Sequence, residues 1–328
     1  MKAITYSEYG PSDVLQLSEM AKPAPRVGEA LVRIRAASVN PIDWHFMRGT
    51  PYLVRLLTGW RKPKVTRLGV DAAGQVEAVG GKVTQFRPGD EVFGACRGAF
   101  AECGCAREAA LALKPANLTF EQAAAVPVAA FTALQGLRDK GRIQPGKKVL
   151  INGAAGGVGT FAVQLARCFG ADVTGVCSTR NVDLVRSIGA HHVVDYTRED
   201  FTKNGVQYDL IFDSVGNHSL SDCRRALVAE GTLVLVGAPD KGPWLGPLTS
   251  ILGAVALSPF VSQKLRPILA RPNQEDWKVL RDFLESGKVT PVIDRTYPLR
   301  EISEAIRYLE EGHARGKVVI KMAPRSES

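Results

Sequence analysis

The stretch that most constrains the 328-residue chain runs Val149-Leu-Ile-Asn-Gly153-Ala154-Ala155-Gly156-Gly157-Val158-Gly159-Thr160-Phe-Ala-Val-Gln-Leu-Ala166. An apolar run of strand length enters a glycine-rich turn, which opens directly into a segment whose apolar residues recur at helical spacing. Glycines let the backbone approach a ligand closely. A helix beginning in the turn presents free amide N–H groups and a partial positive charge, so the turn suits a pyrophosphate. The spacing departs from the strict G-x-G-x-x-G because Ala154 replaces the first glycine. The plainer alternative is a structural turn with no ligand.

The flanks favour a nucleotide fold. Periodicity predicts strands at Lys148 to Asn152, Asp172 to Cys177, Val193 to Asp195, Leu210 to Asp213 and Gly231 to Gly237. Helices are predicted at Gly157 to Phe169, Asn181 to Ile188 and Leu220 to Leu227. Such alternation calls for a parallel sheet covered on both faces, the doubly wound α/β architecture. The first hundred or so residues read instead as short strands between turns, such as Glu29 to Ala36, Gly74 to Val79 and Glu91 to Phe93, an all-β, barrel-like opening. Phe120 to Arg138 is helical in spacing. Two late helices (Gln274 to Ser286, Leu299 to Glu311) and two strands (Val292 to Tyr297, Lys317 to Met322) are expected to return to the first domain. The expected division is 1–120, 121–264 and 265–328, with the middle part binding the nucleotide.

Which dinucleotide binds is written after the second strand of that fold. A chain selecting NAD places an acid there for the ribose 2′-hydroxyl. Here the residues are Cys177-Ser178-Thr179-Arg180-Asn181, hydroxyls and a guanidinium without a carboxylate, which suits a 2′-phosphate and hence NADPH. The alternative for Arg180 is an ordinary exposed loop arginine. A second phosphate-like pattern, Gly141 to Lys147, is a turn: Lys148 stands where a P-loop needs Ser or Thr, and a strand follows rather than a helix.

Composition removes several classes. With 45% hydrophobic and 23% charged residues the chain is globular rather than disordered. Its net charge of +9 is scattered. The densest run, from Arg55 to Arg67, has only Trp60 interleaved, so it reads as a solvated loop and no nucleic-acid partner is expected. The uncharged stretch Gly242 to Gln263 is long enough for a bilayer, but Pro243, Pro247 and Pro259 would break a lone helix there. It reads as an apolar flap or subunit contact, so no membrane span is expected and a homodimer is. The first residues lack the apolar run of a signal peptide and the six cysteines are expected to be reduced, which together point to the cytoplasm.

The reaction is narrowed by missing groups. The five histidines show no metal-ligand spacing, and Cys96, Cys103 and Cys105 are too irregular for a four-cysteine site, so no metal is expected. No tyrosine has a lysine four positions on, which removes the Tyr-x-x-x-Lys pair of short-chain reductases. Hydride delivered without a Lewis acid suits acceptors that delocalise the resulting charge, a quinone or an α,β-unsaturated carbonyl.

Taken in order, further motifs cover essentially the whole chain: Gly10-Pro-Ser-Asp-Val-Leu, Ser38-Val-Asn40-Pro-Ile-Asp43, Leu68-Gly-Val-Asp71-Ala-Ala-Gly74 and Arg87-Pro-Gly-Asp90-Glu-Val-Phe-Gly94. Gly98-Ala-Phe-Ala-Glu102, Ala129-Ala-Phe-Thr132-Ala and Asp213-Ser-Val-Gly216 complete the series. With the glycine turn, this series resembles the zinc-independent quinone oxidoreductase (zeta-crystallin-like) branch of the medium-chain dehydrogenase/reductase superfamily. The resemblance implies a GroES-like β-barrel-type catalytic domain joined to a Rossmann cofactor domain. In zinc members the positions of Asn40 to Asp43 and of Asp71 carry metal ligands, and here they do not. The resemblance also assigns Ala155, Gly156, Gly157, Val158 and Gly159 to the pyrophosphate, Ser178 and Arg180 to the 2′-phosphate, and Tyr196 to the adenosine phosphate end. Asn40 and Thr132 would lie beside the nicotinamide, with Val215, Gly216 and Gly237 under it and the substrate in a cleft between the domains. The plainer alternatives are a strand-end aromatic for Tyr196 and a turn residue for Asn40.

Asn40 and His45 are the catalytic candidates, His45 standing where some relatives place a tyrosine. Imidazole donates a hydrogen bond and titrates near neutrality, but a structural histidine is the competing reading and no proton donor is assigned. The expected function is a metal-independent, NADPH-dependent quinone or enone reductase. The alternatives are a catalytically weak NADPH-binding or interaction protein and a zinc-free alcohol dehydrogenase.

Overall fold

A computed structural model describes residues 1–237, 253 and 261–323. The chain separates into two units, one formed by Met1–Val128 with the segment from Pro272 onward, the other by Ala129–Arg271. Both divisions come a few residues later than residues 120 and 264. Most of the uncharged stretch 242–263 lies outside the described residues. Among those described, no helix is long and apolar enough to cross a membrane.

In the second unit six parallel strands follow the spatial order His192–Asp195, Asp172–Cys177, Lys148–Asn152, Tyr208–Asp213, Leu227–Leu235 and Lys264–Pro267. The chain starts at the third of these, moves outward to one side, then crosses and moves outward to the other. That reversal makes the ends of Lys148–Asn152 and Tyr208–Asp213 the switch point of the sheet, where α/β folds bind ligands. The helix Gly157–Cys168 is buried continuously from Gly159 to Ala166, which explains why its sequence is apolar or small nearly all round. Leu150, Val176, Phe201, Tyr208, Ile211 and Leu233 belong to one core on this sheet.

Lys264–Pro267 was not expected from the sequence. One strongly apolar residue in four and a terminal proline give little periodicity, and both suit the edge position the strand occupies. The helix expected over residues 120–138 is split into Phe120–Ala124 and Pro127–Gln135, followed by a π-helical turn at Gly136–Lys140. Pro127 cannot donate a backbone amide, so a helix can restart there but not run through it. Thr119 starts the first piece with a reciprocal cap: its Oγ1 accepts from Gln122 N at 3.2 Å, and its own N donates to Gln122 Oε1 at 3.0 Å.

The first unit is organised around the 11-residue strand Glu29–Val39. Its sheet runs Ile293–Pro298, Lys317–Lys321, Glu29–Val39, Asp71–Val79, Glu91–Ala95 and Leu111–Leu113, with Cys103–Arg107 also pairing with the long strand. The C-terminal strands do return: Lys317–Lys321 pairs antiparallel with the long strand in a register that sets Val318 opposite Val39. Buried Ile4, Ile34, Val39, Val92, Phe100, Ile306 and Ile320 belong to its core. Two short helices absent from the sequence reading, Pro41–Arg48 and Val54–Thr58, follow the long strand. The first carries its own punctuation: Asn40 before it, Pro41 in its first turn, and Gly49 after it in the left-handed region at φ 61°.

Candidate functional site

The glycine turn is tight for reasons visible at two of its glycines. Gly153 has φ +82°, and a Cβ there would stand 2.6 Å from Ser214 Oγ. A Cβ on Gly159 would stand 2.0 Å from Gly153 O, so only glycine lets the helix lie this close to the strand end. The helix begins after Gly156 with no side-chain cap. The first intrahelical bond is Thr160 N to Gly156 O at 2.9 Å, which leaves the amides of Gly157, Val158 and Gly159 outside the helical ladder. Gly156, Gly157 and Val158 are half-buried, while Ala155 and Gly159 are buried. An anion at this edge meets several N–H groups and the positive end of the helix dipole.

A second loop closes on this turn. Asp213, 1% exposed, accepts from Val215 N (3.1 Å), Gly216 N (2.9 Å) and Asn152 Nδ2 (2.8 Å) through Oδ1. One carboxylate oxygen thus fixes the bend in which Gly216 takes φ +73°. Gly237 packs against the same loop, where a Cβ would stand 2.3 Å from Ser214 O. Val215, Gly216 and Gly237 are therefore brought together beside the glycine turn, with Val215 43% exposed. Thr132 lies on the helix Pro127–Gln135.

Past the second strand, Ser178 is half-buried and Arg180 exposed. Tyr196 joins them from the neighbouring strand: its N donates to Cys177 O at 3.0 Å, and the residue is 57% exposed. The same strand supplies a carboxylate that the sequence reading missed. Asp195 Oδ2 accepts from Thr179 Oγ1 at 2.6 Å, and Oδ1 accepts from Thr197 N and Thr197 Oγ1. These hydrogen bonds, Thr179's foremost, hold the Asp195 carboxyl below its ordinary value. Arg198 Nε stands 3.6 Å from it. The acid-free strand end is real, but an ionised acid borders it from one strand over.

In the first unit the residues after the long strand form a buried polar knot. Asp71, wholly buried, accepts through Oδ2 from Ser38 Oγ (3.0 Å) and Asn40 Nδ2 (2.9 Å), and through Oδ1 from Val128 N (3.1 Å). Lys317, 4% exposed, donates from Nζ to Asn40 Oδ1 at 2.6 Å and stands 3.7 Å from Asp71 Oδ2. Asp43 accepts from Asn40 N (2.8 Å) and Gly69 N (3.0 Å). Burial raises the Asp43 carboxyl to about 7 against these hydrogen bonds. It also raises Asp71 and lowers Lys317, each opposed chiefly by the charge of the other. The positions at which zinc members carry ligands are thus tied to one another and to Lys317.

This arrangement changes the reading of Asn40. Its Oδ1 is taken by Lys317 and its Nδ2 by Asp71 and the Ser38 carbonyl, at 2.9 and 3.3 Å, and the residue is 2% exposed. One turn further on, His45 is half-buried and stacks near Trp44, with ring centroids 3.7 Å apart. Its Nδ1 is 2.8 Å from Thr50 O, and because a carbonyl only accepts, the proton sits on Nδ1. All six cysteines are free. Among the described residues no group of three or more His, Cys, Asp or Glu side chains could hold a metal ion.

Two family models match parts of the chain. Residues 26–134 match the family model of the alcohol dehydrogenase GroES-like domain, and residues 188–320 that of the zinc-binding dehydrogenases. The chain is 37% identical over 339 residues to the 2-methylene-furan-3-one reductase of Solanum lycopersicum, spanning 99% of this chain and 80% of that one. With the chloroplastic NADPH-dependent alkenal/one oxidoreductase of Arabidopsis thaliana it shares 34% identity over the same shares of both chains. The solved quinone oxidoreductase of Coxiella burnetii superposes with a TM-score of 0.88 at 30% identity, covering 98% of this chain and 99% of that one. The chain belongs to the medium-chain dehydrogenase/reductase superfamily, among its quinone oxidoreductase-like members.

Proposed function

We propose that the protein is an NADPH-dependent reductase that delivers hydride, without a metal ion, to an α,β-unsaturated carbonyl or a quinone. The observation that carries this reading is the anion-receiving edge of the second unit, where an uncapped helix start lies behind a glycine turn and Ser178 and Arg180 follow the adjacent strand. In the roles proposed, the backbone of Ala155, Gly156, Gly157, Val158 and Gly159 takes the pyrophosphate. Ser178 and Arg180 take the 2′-phosphate, and Tyr196 packs at the adenosine end. Val215, Gly216 and Gly237 form a floor of little bulk for the nicotinamide, with Thr132 beside it. Bound NADPH supplies a hydride from its nicotinamide ring.

The rest of the chemistry belongs to the chain and the acceptor. Lys317, as an ammonium, has no lone pair to offer a metal, and Asp71 is already engaged by Ser38, Asn40 and Val128 with the Lys317 charge beside it, so the knot does not fit a zinc ion. Negative charge developing on the acceptor oxygen must then be delocalised by the acceptor itself and met by hydrogen bonds, as an enone or quinone permits. Asn40, its amide spent inward, serves this side by holding the backbone corner. His45 is the candidate donor, and with its Nδ1 proton held on Thr50 O it donates from Nε2 only as the imidazolium. Two relatives named for reduction of a methylene-furanone and of alkenals and alkenones support this acceptor class.

The test is loss of reduced-nicotinamide absorbance with a simple enone and a simple quinone. Turnover with NADPH, little with NADH, and no loss after chelation is expected, whereas equal rates with both nucleotides would remove the assignment of Ser178 and Arg180. The free cysteines fit any reducing compartment, the cytoplasm among them. Light scattering of the full chain tests the homodimer inferred from the uncharged stretch.

A further inference from the structure

Lysine is almost never fully buried unless it is paired, yet Lys317 is 4% exposed. Its surroundings suit an ammonium: it donates to Asn40 Oδ1 at 2.6 Å and to the Val39 carbonyl at 3.4 Å, and the Asp71 carboxylate stands 3.7 Å away as an ion pair. A carboxylate beside two accepting oxygens favours the charged form of the lysine. The same contacts fix the Asn40 amide without ambiguity. Its oxygen must face the ammonium, and its two N–H bonds must face Asp71 and the Ser38 carbonyl. Asp71 gathers Ser38 and Asn40 from the end of the long strand, while Asp43 ties Asn40 N to Gly69 N. The backbone at Val39–Pro41, where strand turns into helix, is therefore held from several directions, and the helix it starts bears His45.

We infer that Lys317 is a positioning residue for the acceptor side of the reaction: a resident ammonium that, through Asn40 and Asp71, holds the strand-to-helix corner and so aims the helix carrying His45. The inference rests on the proposed acceptor-side role of His45. Lys317 comes from a strand 277 residues away from Asn40 in sequence, so the C-terminal return of the chain locks the geometry of its N-terminal half. The lock acts by geometry.

Removing the ammonium alone strands the Asp71 charge in the core, which by itself can unfold the unit. The informative variant is therefore the full-length double substitution Lys317→Met with Asp71→Asn, which removes both charges together. It is compared with the wild type by melting, NADPH affinity, kcat and KM for an enone, and nitrogen NMR of labelled histidines. The NADPH dissociation constant is expected to stay within about twofold, whereas kcat falls about 10- to 100-fold, the cost of an ångström-scale misplacement. The His45 Nδ1–H signal moves or broadens as its bond to Thr50 loosens. A folded double variant with wild-type kcat and an unchanged His45 signal would overturn the inference. If the wild type reduces neither enones nor quinones, the proposed function fails, and the histidine signal alone decides whether the lock exists. If the double variant does not fold, labelled lysine in the wild type decides: a slowly exchanging buried ammonium supports the lock, and only rapidly exchanging lysine signals refute it.

Discussion

Replacing Asp43 by asparagine is expected to change how stability depends on pH more than stability itself. Asp43 is 1% exposed and accepts one backbone N–H on each oxygen. Burial is the largest influence on it, the nearby Asp71 adds to that, and the carboxyl rises from 3.8 to about 7. The folded protein therefore holds a proton that the unfolded chain releases across the whole interval between those values. With the folded value raised, the stabilisation is complete below the unfolded value and is lost as pH rises through the folded one. A shift of about three pH units corresponds to about 4 kcal/mol over the full window, of which roughly 2–3 kcal/mol falls between about pH 5 and pH 8. Asparagine cannot titrate, but its Nδ2 would face one of the two backbone donors, a pH-independent cost of about 1–3 kcal/mol. The variant should thus melt below the wild type near pH 5 and close the gap or cross it near pH 8. Acid loss from other carboxylates cancels when the two proteins are compared at each pH. Denaturant titrations of both across that range provide the assay. Parallel curves would show that the two backbone hydrogen bonds outweigh burial and keep Asp43 ionised, which refutes the reasoning.

Arg180→Ala should weaken NADPH about 10- to 100-fold, the worth of charge-assisted hydrogen bonds to a phosphate, and leave NADH unchanged by fluorescence titration; equal losses for both nucleotides would place Arg180 away from the 2′-phosphate. Asp195→Asn removes a carboxylate bordering the same corner through Thr179 and should tighten NADPH severalfold without helping NADH, as read from the two dissociation constants. Gly159→Ala drives a Cβ to 2.0 Å from Gly153 O, so NADPH binding should be lost and the second unit destabilised by about 1–3 kcal/mol; a variant that still binds NADPH would mean the turn yields easily. For His45, a donor that works only as the imidazolium makes the enone rate fall as pH rises, and His45→Gln should flatten that dependence in a kcat profile.

How far the sequence could be read follows from the range over which each signal acts. The glycine turn, the strands beside it and the missing acid after Cys177 are local, because helix and strand periods and the demand for glycine at Gly153 and Gly159 are set by neighbours in the chain. The same local rules explain the failures close to them. Pro127 broke a helix that apolar spacing predicted to be continuous, and the signals of Asn40, Pro41 and Gly49 marked a helix that the β-like reading of the first hundred residues passed over. Asp195 and Lys317 were beyond reach for a different reason. Asp195 meets Thr179 because two parallel strands lie side by side, and Lys317 meets Asn40 because the final strand pairs antiparallel with the first long one. Neither partner can be named until the register is known, since a slip of one residue would point the side chain to the opposite face of the sheet.

That dependence on register has a consequence for relatives of the chain. The residues after the long strand look in sequence like an emptied metal site, yet what fills it is decided by a lysine at the other end of the protein. A chain with the same Asn40 and Asp71 but an apolar residue in place of Lys317 would bury an unpaired carboxylate, a loss too large for a marginally stable unit to absorb. The pair should therefore change together or not at all. A single Lys317→Met variant that folds as well as the double variant would show that Asp71 is neutral in the folded protein, and that hydrogen bonds rather than charge hold the corner.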